Sequence, residues 1–226
     1  METRIIKTWL SKKPSSDAGV VAWFSTLLLV VGSVIYWQNL FGWAEWMAAS
    51  KKAVFENHEY WRAWTSLIIH GDGKHLLANS FLFFILGYFL SGFFGSLLFP
   101  LLTFAVGGIT NLFVLAQMPL ETELVGASGI VFWMGGAWLI LYFFLDRVRS
   151  LGQRTLRALG VGVMLFMPAE AFDPQVSYKA HFIGFIVGIV SGLVYYLIKR
   201  REFLAAEVRE VVIEESEEAY VDPLQL

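Results

Sequence analysis

A serine between small residues, at the start of a long uncharged segment, is the first candidate for nucleophilic chemistry in this sequence. Ser128 lies in the run Gly126-Ala127-Ser128-Gly129, which opens an uncharged stretch over residues 124–145. Glycine neighbours let another backbone approach closely, and the NH groups at the start of a helix are not paired within it. The same run is also typical of small residues that let two membrane helices pack. The segment alone leaves both interpretations open.

A serine nucleophile needs a base to take its proton, and His181 is the candidate at comparable depth in another apolar segment. Small residues follow this histidine at about one per helical turn: Gly184, Gly188 and Gly192. Such a face lets a second helix come close, so we expect the Ser128 and His181 segments to meet. A histidine that only forms an interhelical hydrogen bond is the alternative.

Two further polar residues, His75 and Asn79, are candidates for stabilising an oxyanion. They are four positions apart and therefore lie on one face of a helix. With the backbone NH of Ser128 at a helix N-terminus, they could donate to the negative oxygen of a tetrahedral intermediate.

Other chemistries of the same residues are less well supported. His70 and His75 are five positions apart with Gly-Asp-Gly between them, which disfavours a helical metal-binding pair. A serine–lysine dyad with Lys74 or Lys179 would need a lowered lysine pKa, for which the sequence offers no cause. Because no Asp or Glu is placed within a span so that it could orient His181, we expect a dyad, with Asp72 open as a third member.

The composition indicates that these residues belong to a membrane protein. The 226 residues are 57% hydrophobic and 16% charged, too apolar for an ordinary soluble domain. The absence of cysteine excludes a disulfide framework, a thiolate metal site and a cysteine nucleophile. Lys and Arg are spread among the loops, so the sequence does not predict nucleic-acid binding.

Hydropathy predicts six transmembrane helices within an all-α fold. They cover residues 20–40, 75–91, 98–117, 124–145, 155–172 and 180–198. Basic residues gather on the side of both termini, so the positive-inside rule predicts a cytoplasmic tail over residues 1–18, a membrane domain over 19–200 and an acidic cytoplasmic tail over 201–226. The even-numbered helices then begin at the outer face, where the polar candidates cluster. The first outer loop, residues 41–69, mixes tryptophans with charges and is expected to lie in the membrane interface, with a small extramembrane subdomain as the alternative.

Taken together, the motifs resemble those of the rhomboid intramembrane serine proteases over about residues 20–200. The first two are Trp61-Arg62 in the outer loop and the spacing His70, His75 and Asn79 before and within the second helix. The others are the Gly-Ala-Ser-Gly run around Ser128 and the Ala-His-x-x-Gly-x-x-x-Gly run around His181. Their order, spacing and membrane side all agree with the family.

The resemblance implies a rhomboid-like bundle of six helices, a Ser128–His181 dyad, and an oxyanion hole made by His75, Asn79 and the Ser128 backbone. Supporting residues would be His70, Gly126, Gly129, Phe132, Gly184 and Gly188. Phe132 departs from the family, because many bacterial members have a tyrosine there, stacked on the catalytic histidine. The implied partners are transmembrane substrates and the lipid bilayer, without metal or cofactor, and the implied location is a bacterial inner membrane with the site opening outward.

Two other functions are compatible with a membrane bundle of this kind. One is a catalytically inactive rhomboid-like protein that binds transmembrane clients, which has no need to keep both Ser128 and His181. The other is a small transporter, but the sequence shows no inverted repeat and no charge at the midplane of a span.

Overall fold

The computed structural model describes residues 2–166 and 178–212 of the chain. These residues form helices joined by short connections, with two small sheets. The helices are α1 Ala18–Trp37, α2 Ala44–Met47, α3 Arg62–Thr65, α4 Gly73–Phe94, α5 Thr103–Leu115, α6 Ser128–Leu145, α7 Leu151–Phe166 and α8 Tyr178–Ala205. The strands are β1 Glu2–Lys7, β2 Ala49–Ser50, β3 Glu123–Leu124 and β4 Val208–Val212.

Five helical segments are long and apolar enough to cross a membrane: α1, α4, Leu97–Leu115, α6 and α8. The prediction of an all-α membrane bundle is therefore confirmed. The predicted fifth span, residues 155–172, is described only in part. Its helix α7 begins earlier than expected, at Leu151, and residues 167–177 lie outside the described residues.

The helix α6 is the centre of the bundle. Of its residues, 61% are buried, compared with 28–44% for the other four spans. The helices α4, α5, α7 and α8 all pack against it. A helix that is apolar on every side is suited to the centre of a bundle, because none of its faces has to contact water.

The predicted break between the second and third spans is present, but α4 continues to Phe94, beyond the expected end at residue 91. Gly95 follows with a φ of 82°, a conformation that favours glycine. After Ser96, the six residues Leu97–Leu102 form a wide π-type turn that contains Pro100, and α5 then begins at Thr103. The break between the two helices thus occurs at Gly95 and Pro100, the residues that disfavour a continuous helix.

Residues 124–127 are not helical, although the uncharged stretch predicted a helix from residue 124. Instead, Glu123 and Leu124 form β3, which pairs antiparallel with β2 of the first outer loop. Gly126 then has a φ of 111°, which a helix does not permit. The fourth span therefore begins at Ser128 itself, and the nucleophile candidate lies at the helix N-terminus, not below it.

The first outer loop is held together around Arg62. Its guanidinium donates from Nε to Glu59 at 2.7 Å and from Nη1 to the carbonyl of Ala48 at 2.9 Å. It also lies 5.7 Å from the centre of the Trp46 ring. Because both members of the Arg62–Glu59 ion pair are largely buried, this pair fixes the loop more firmly than an exposed pair would.

The first and the last described segments of the chain pair with each other. Strand β1 runs antiparallel to β4, from Glu2 opposite Val212 to Lys7 opposite Val208. Before β4, α8 continues past the predicted end at residue 198 to Ala205, and its buried Phe203 contacts the ring of Trp9. The predicted domain boundary after residue 200 thus falls within α8, and residues 213–226 lie outside the described residues.

Candidate active site

The turn before Ser128 has a shape that only glycine allows. At Gly126, φ is 111°, and a Cβ on this residue would lie 2.7 Å from Cε1 of His75. The His75 ring therefore occupies the space that a side chain at position 126 would need. Ser128, half-buried, follows as the first residue of α6, so its NH is among those that the helix leaves unpaired.

Hydrogen bonds from two other segments fasten this turn. The NH of Gly126 donates to the carbonyl of Ser66 at 2.9 Å, and the NH of Ala127 donates to Nε2 of His70 at 3.2 Å. On its other side, Nδ1 of His70 lies 3.0 Å from Oγ of Ser33 on α1. Since Nε2 accepts, the neutral ring carries its proton on Nδ1 and donates it to Ser33.

His70 is fully buried, and burial lowers the pKa of its imidazole to about 3, with the nearby His75 contributing in the same direction. The centres of these two rings are 5.1 Å apart. A neutral ring can accept from Ala127, whereas a protonated one cannot. The contacts thus give His70 a clear structural task, which is to hold the turn in place.

Close backbone contact joins α6 to α8, as the glycine spacing predicted. A Cβ on Gly184 would overlap the carbonyl of Gly129, and one on Gly188 would overlap the carbonyl of Trp133. In the opposite direction, a Cβ on Gly136 would overlap the carbonyl of Phe185. The two helices therefore approach at a distance that only glycine permits.

His181 stacks on Phe132. The two ring centroids are 4.2 Å apart, with an angle of 15° between the planes, and both residues are largely buried. Phe132 lies one helical turn after Ser128, so the stacking brings the histidine to the turn of α6 that carries the serine. No hydrogen bond joins Ser128 Oγ to the His181 ring among the described residues. The dyad itself stays a prediction.

The side-chain amide of Asn79 is buried, and its Nδ2 has no hydrogen-bond partner in the described part of the chain. A buried unpaired donor is costly in a folded protein, and an anionic ligand would satisfy it. This is the behaviour expected of an oxyanion donor.

Asp72, left open as a third member of a triad, caps α4. Its Oδ1 accepts from the NH groups of Lys74 at 2.8 Å and His75 at 2.9 Å. The hydrogen bond from His75 and the one from Lys74 lower the pKa of this carboxyl group. Its structural role is thus to fix the start of the helix that carries His75.

Sequence reasoning missed three polar residues that support the site: Ser33, Ser66 and Asn111. Besides the contact of Ser33 with His70, Nδ2 of Asn111 donates to the carbonyl of Ala63 at 3.1 Å and to Oγ of Ser66 at 3.2 Å. Ser66 in turn holds Gly126 through its carbonyl. The available signal was a polar side chain within an apolar segment, since such residues are seldom placed there without a partner.

No cluster of three or more His, Asp or Glu residues suited to a metal ion occurs within residues 2–166 and 178–212.

Comparison with known proteins agrees with the arrangement of these motifs. The Rhomboid domain matches residues 57–198, which is more than half of the chain. The chain belongs to the rhomboid family. The rhomboid protease GlpG of Haemophilus influenzae is 26% identical over 139 residues, which cover 62% of this chain and 71% of that protein.

Two further relatives come from different kingdoms. YdcA of Bacillus subtilis, whose name assigns it provisionally to the rhomboid proteases, is 28% identical over 148 residues, covering 65% of this rhomboid and 73% of YdcA. The RHOMBOID-like protein 5 of Arabidopsis thaliana is 28% identical over 156 residues, covering 67% of this chain and 49% of its own. The family and the apolar spans identify an integral membrane protein, and the relatives named as proteases support intramembrane proteolysis as its general activity.

Proposed function

We propose that this rhomboid is a serine endopeptidase that hydrolyses peptide bonds in or near the transmembrane segments of other membrane proteins, with Ser128 as nucleophile and His181 as base. The observation that carries the proposal is the stacking of His181 on Phe132, at a point where Gly184 lies against Gly129. Both contacts are within one turn of Ser128. A catalytic hydrogen bond that is long without substrate can shorten when the substrate binds.

The reaction follows from the roles of the two residues. The Ser128 hydroxyl attacks the carbonyl carbon of the scissile bond while His181 takes its proton. His181 then gives that proton to the departing amine, which leaves an ester between the substrate carbonyl and Ser128. Water, activated by the same histidine, hydrolyses the ester and restores the enzyme.

The negative oxygen of the intermediate needs donors that are already in place. The proposed donors are the Ser128 NH at the start of α6, Nδ2 of Asn79 and the ring of His75. Asn79 supports this role best, because its buried amide donor has no other partner among the described residues. His75 is near the same turn, since its ring occupies the space beside Gly126.

We place both termini in the cytoplasm and the site at the outer face of a bacterial inner membrane. This orientation is supported by basic residues just after α6 and in the last two turns of α8, opposite to Ser128 and His181: Arg147, Arg149, Lys199, Arg200 and Arg201. Water can then reach the nucleophile from outside. The terminal segments 1–18 and 201–226 would lie on the side away from the site.

The test is cleavage of a transmembrane substrate by the purified full-length protein in liposomes. Ser128→Ala and His181→Ala should each abolish cleavage and labelling by a fluorophosphonate. Matched controls are Ser96→Ala and His58→Ala, which change the same residue types at exposed positions. Both controls should cleave at the wild-type rate.

The double variant Ser128→Ala/His181→Ala adds a second criterion. Residues that act as one unit lose nearly all of their effect on the first substitution, so the double variant should be about as inactive as either single one. Cleavage by Ser128→Ala at the wild-type rate would eliminate the proposal. A folded wild-type protein that binds the substrate without cleaving it would instead indicate the inactive, client-binding rhomboid.

A further inference from the structure

A groove opens on the side of α6 between α4 and α7, at the end of the bundle away from Ser128. We call it the α4–α7 groove and define it by Phe89 on α4, Trp138 and Tyr142 on α6, and Arg157 and Val161 on α7. α4 and α7 each pack on α6, which forms its floor. Its cavity measures about 510 Å³ and is lined mainly by apolar side chains.

A second cavity, of about 490 Å³, adjoins the first and shares Phe89, Trp138, Tyr142 and Arg157 with it. Polar and charged groups line this second space, among them Thr8, Asp146 and Arg149. The combined groove is therefore apolar along the helices and polar at the end of the bundle. A molecule that fills the groove must have an apolar part along the helices and a polar part at the end of the bundle.

The charges at the polar end favour an anion. Nη1 of Arg149 lies 2.7 Å from each carboxylate oxygen of the buried Asp146, so these two residues neutralise each other. Arg157 forms no ion pair with an acidic residue in the described part of the chain and is exposed on the surface of α7, where it lies beside the hydroxyl of Tyr142. Its guanidinium has five donors and therefore keeps some that can bind an anion in the groove.

Arg157 and Tyr142 both line the two cavities, at the point where the apolar space meets the polar one. The hydroxyl of Tyr142 is buried and interacts with Asp146 and Arg157. A phosphate at that position could accept from Arg157.

From these observations, we propose that the α4–α7 groove binds an anionic phospholipid, with its phosphate at Arg157 and an acyl chain along Trp138 and Val161. Basic residues around the groove would attract such lipids to this end of the bundle. The lipid would fill the space between α4 and α7, whose contact with each other is otherwise made through α6. This inference does not depend on the proposed protease activity.

The test measures lipid retained by the purified full-length protein, by native mass spectrometry after mixing with palmitoyl-oleoyl phosphatidylglycerol or phosphatidylcholine. The wild type should retain phosphatidylglycerol in preference. Arg157→Gln should weaken this binding by about tenfold, since a charge-assisted hydrogen bond to phosphate is lost. Arg201→Gln removes the same charge from α8 outside the groove and should have no effect.

A second pair of variants tests the apolar part without changing charge. Gly160 lines the groove, and no atom lies within 4 Å of a Cβ built on it, so Gly160→Leu can place a side chain there. Gly152→Leu, at another open glycine of α7, is the control that lies outside the groove. Gly160→Leu should reduce lipid retention, and Gly152→Leu should not. Both substitutions replace glycine within a helix and are therefore compatible with folding.

Three results would overturn the proposal. The first is equal retention of the two lipids by the wild type, and the second is equal loss in Arg157→Gln and Arg201→Gln. The third is displacement of phosphatidylglycerol by millimolar glycerol 3-phosphate, which would show a site for free phosphate and not for a lipid. A wild-type protein that retains phosphatidylglycerol in preference but does not cleave a transmembrane substrate would count against the proposed function alone.

Discussion

At the scale of single residues, the polar side chains around the turn that precedes Ser128 have distinct tasks. His70 connects Ser33 on α1 to the NH of Ala127, while Asp72 caps α4 and thereby fixes the start of the helix of His75. Asn79 differs from these residues, because its buried donor is unpaired. His70 and Asp72 thus maintain the shape of the site, whereas Asn79 has a donor available for the proposed oxyanion.

We predict that the protein loses stability through His70 as the pH falls from about 6.5 towards 3. The pKa of His70 is lowered in the folded protein to about 3, so the unfolded chain takes up a proton in this window and the folded chain does not. The contribution of His70 to the free energy of unfolding is therefore complete above the pKa of the unfolded chain. It decreases as the pH falls, by about 1.4 kcal/mol per pH unit for one proton.

Thermal unfolding in detergent, measured as Tm against pH, checks this prediction. His70→Gln should show a shallower decline of Tm below pH ~6.5 than the wild type, since its amide does not titrate there. His58→Gln, at an exposed position, should follow the wild-type curve. Parallel curves for His70→Gln and the wild type would contradict the prediction.

We predict that Asn79→Ala slows cleavage by about a hundred- to a thousandfold through kcat, the usual effect of removing one oxyanion donor. The KM should change little, because the lost interaction forms with the negative oxygen of the transition state. Steady-state kinetics with a transmembrane substrate would measure both constants. An increase in KM with unchanged kcat would instead indicate a role in substrate binding.

At the scale of elements, contact between α6 and α8 determines where the two catalytic candidates lie. The contact depends on backbone atoms meeting at glycines, so its distance cannot adjust by a change of rotamer. The helix α4 is held differently, by the Asp72 cap and by the break at Gly95. The site thus combines a fixed helix pair with a third helix whose start is set by its cap.

We predict that Gly184→Ala reduces cleavage by about a hundredfold or more, because its Cβ would overlap the Gly129 carbonyl and push α8 from α6. A displacement of about 1 Å is enough for a loss of that size. Cleavage rate and Tm should both be measured, and the rate should fall more than the stability explains. Gly19→Ala, a helical glycine with open space around it, should retain full activity. Wild-type cleavage by Gly184→Ala would mean that the helices do not need this contact.

At the scale of the whole molecule, the first and last described segments are joined at the end of the bundle opposite to the site. Besides the β1–β4 pairing, Arg147 at the end of α6 contacts Glu207 at 2.7 Å, and this carboxylate is largely buried. Trp9 donates from Nε1 to the carbonyl of Phe93 at 2.8 Å. These contacts connect α4, α6 and α8 through the terminal segments.

We predict that truncation after residue 206 lowers Tm but leaves cleavage in detergent intact. The truncation removes β4 and the partner of Arg147, and both are far from Ser128. Truncation after residue 212 keeps the sheet and serves as the control, with a Tm near that of the full chain. Loss of cleavage in a folded protein truncated after residue 206 would reveal a coupling between the sheet and the site.

We also predict that reporter fusions place both termini in the cytoplasm, because basic residues gather at that end of the bundle. Fusions at each terminus, together with protease protection of intact cells, would measure the orientation. A terminus found outside would put the nucleophile at the wrong face for the proposed site.

The sequence by itself determined the class of protein and most of the candidate site. Length and hydropathy of the uncharged segments predict membrane helices, because the bilayer requires about 20 apolar residues for each crossing. The glycine spacing after His181 predicts a close helix pair, and the structure contains that contact. These features are encoded locally, in segments that can be recognised without knowing their neighbours.

Only the tertiary structure decided how the turn that precedes Ser128 is built. Residues 124–127 leave the helical conformation because Leu124 pairs with Ala49, and Gly126 accommodates the His75 ring. The pairing of β1 with β4 likewise joins residues about two hundred positions apart in the chain. A local pattern cannot specify such contacts, since each depends on a partner that only folding brings near. Apolarity alone therefore predicted a helix where long-range hydrogen bonds favour a turn.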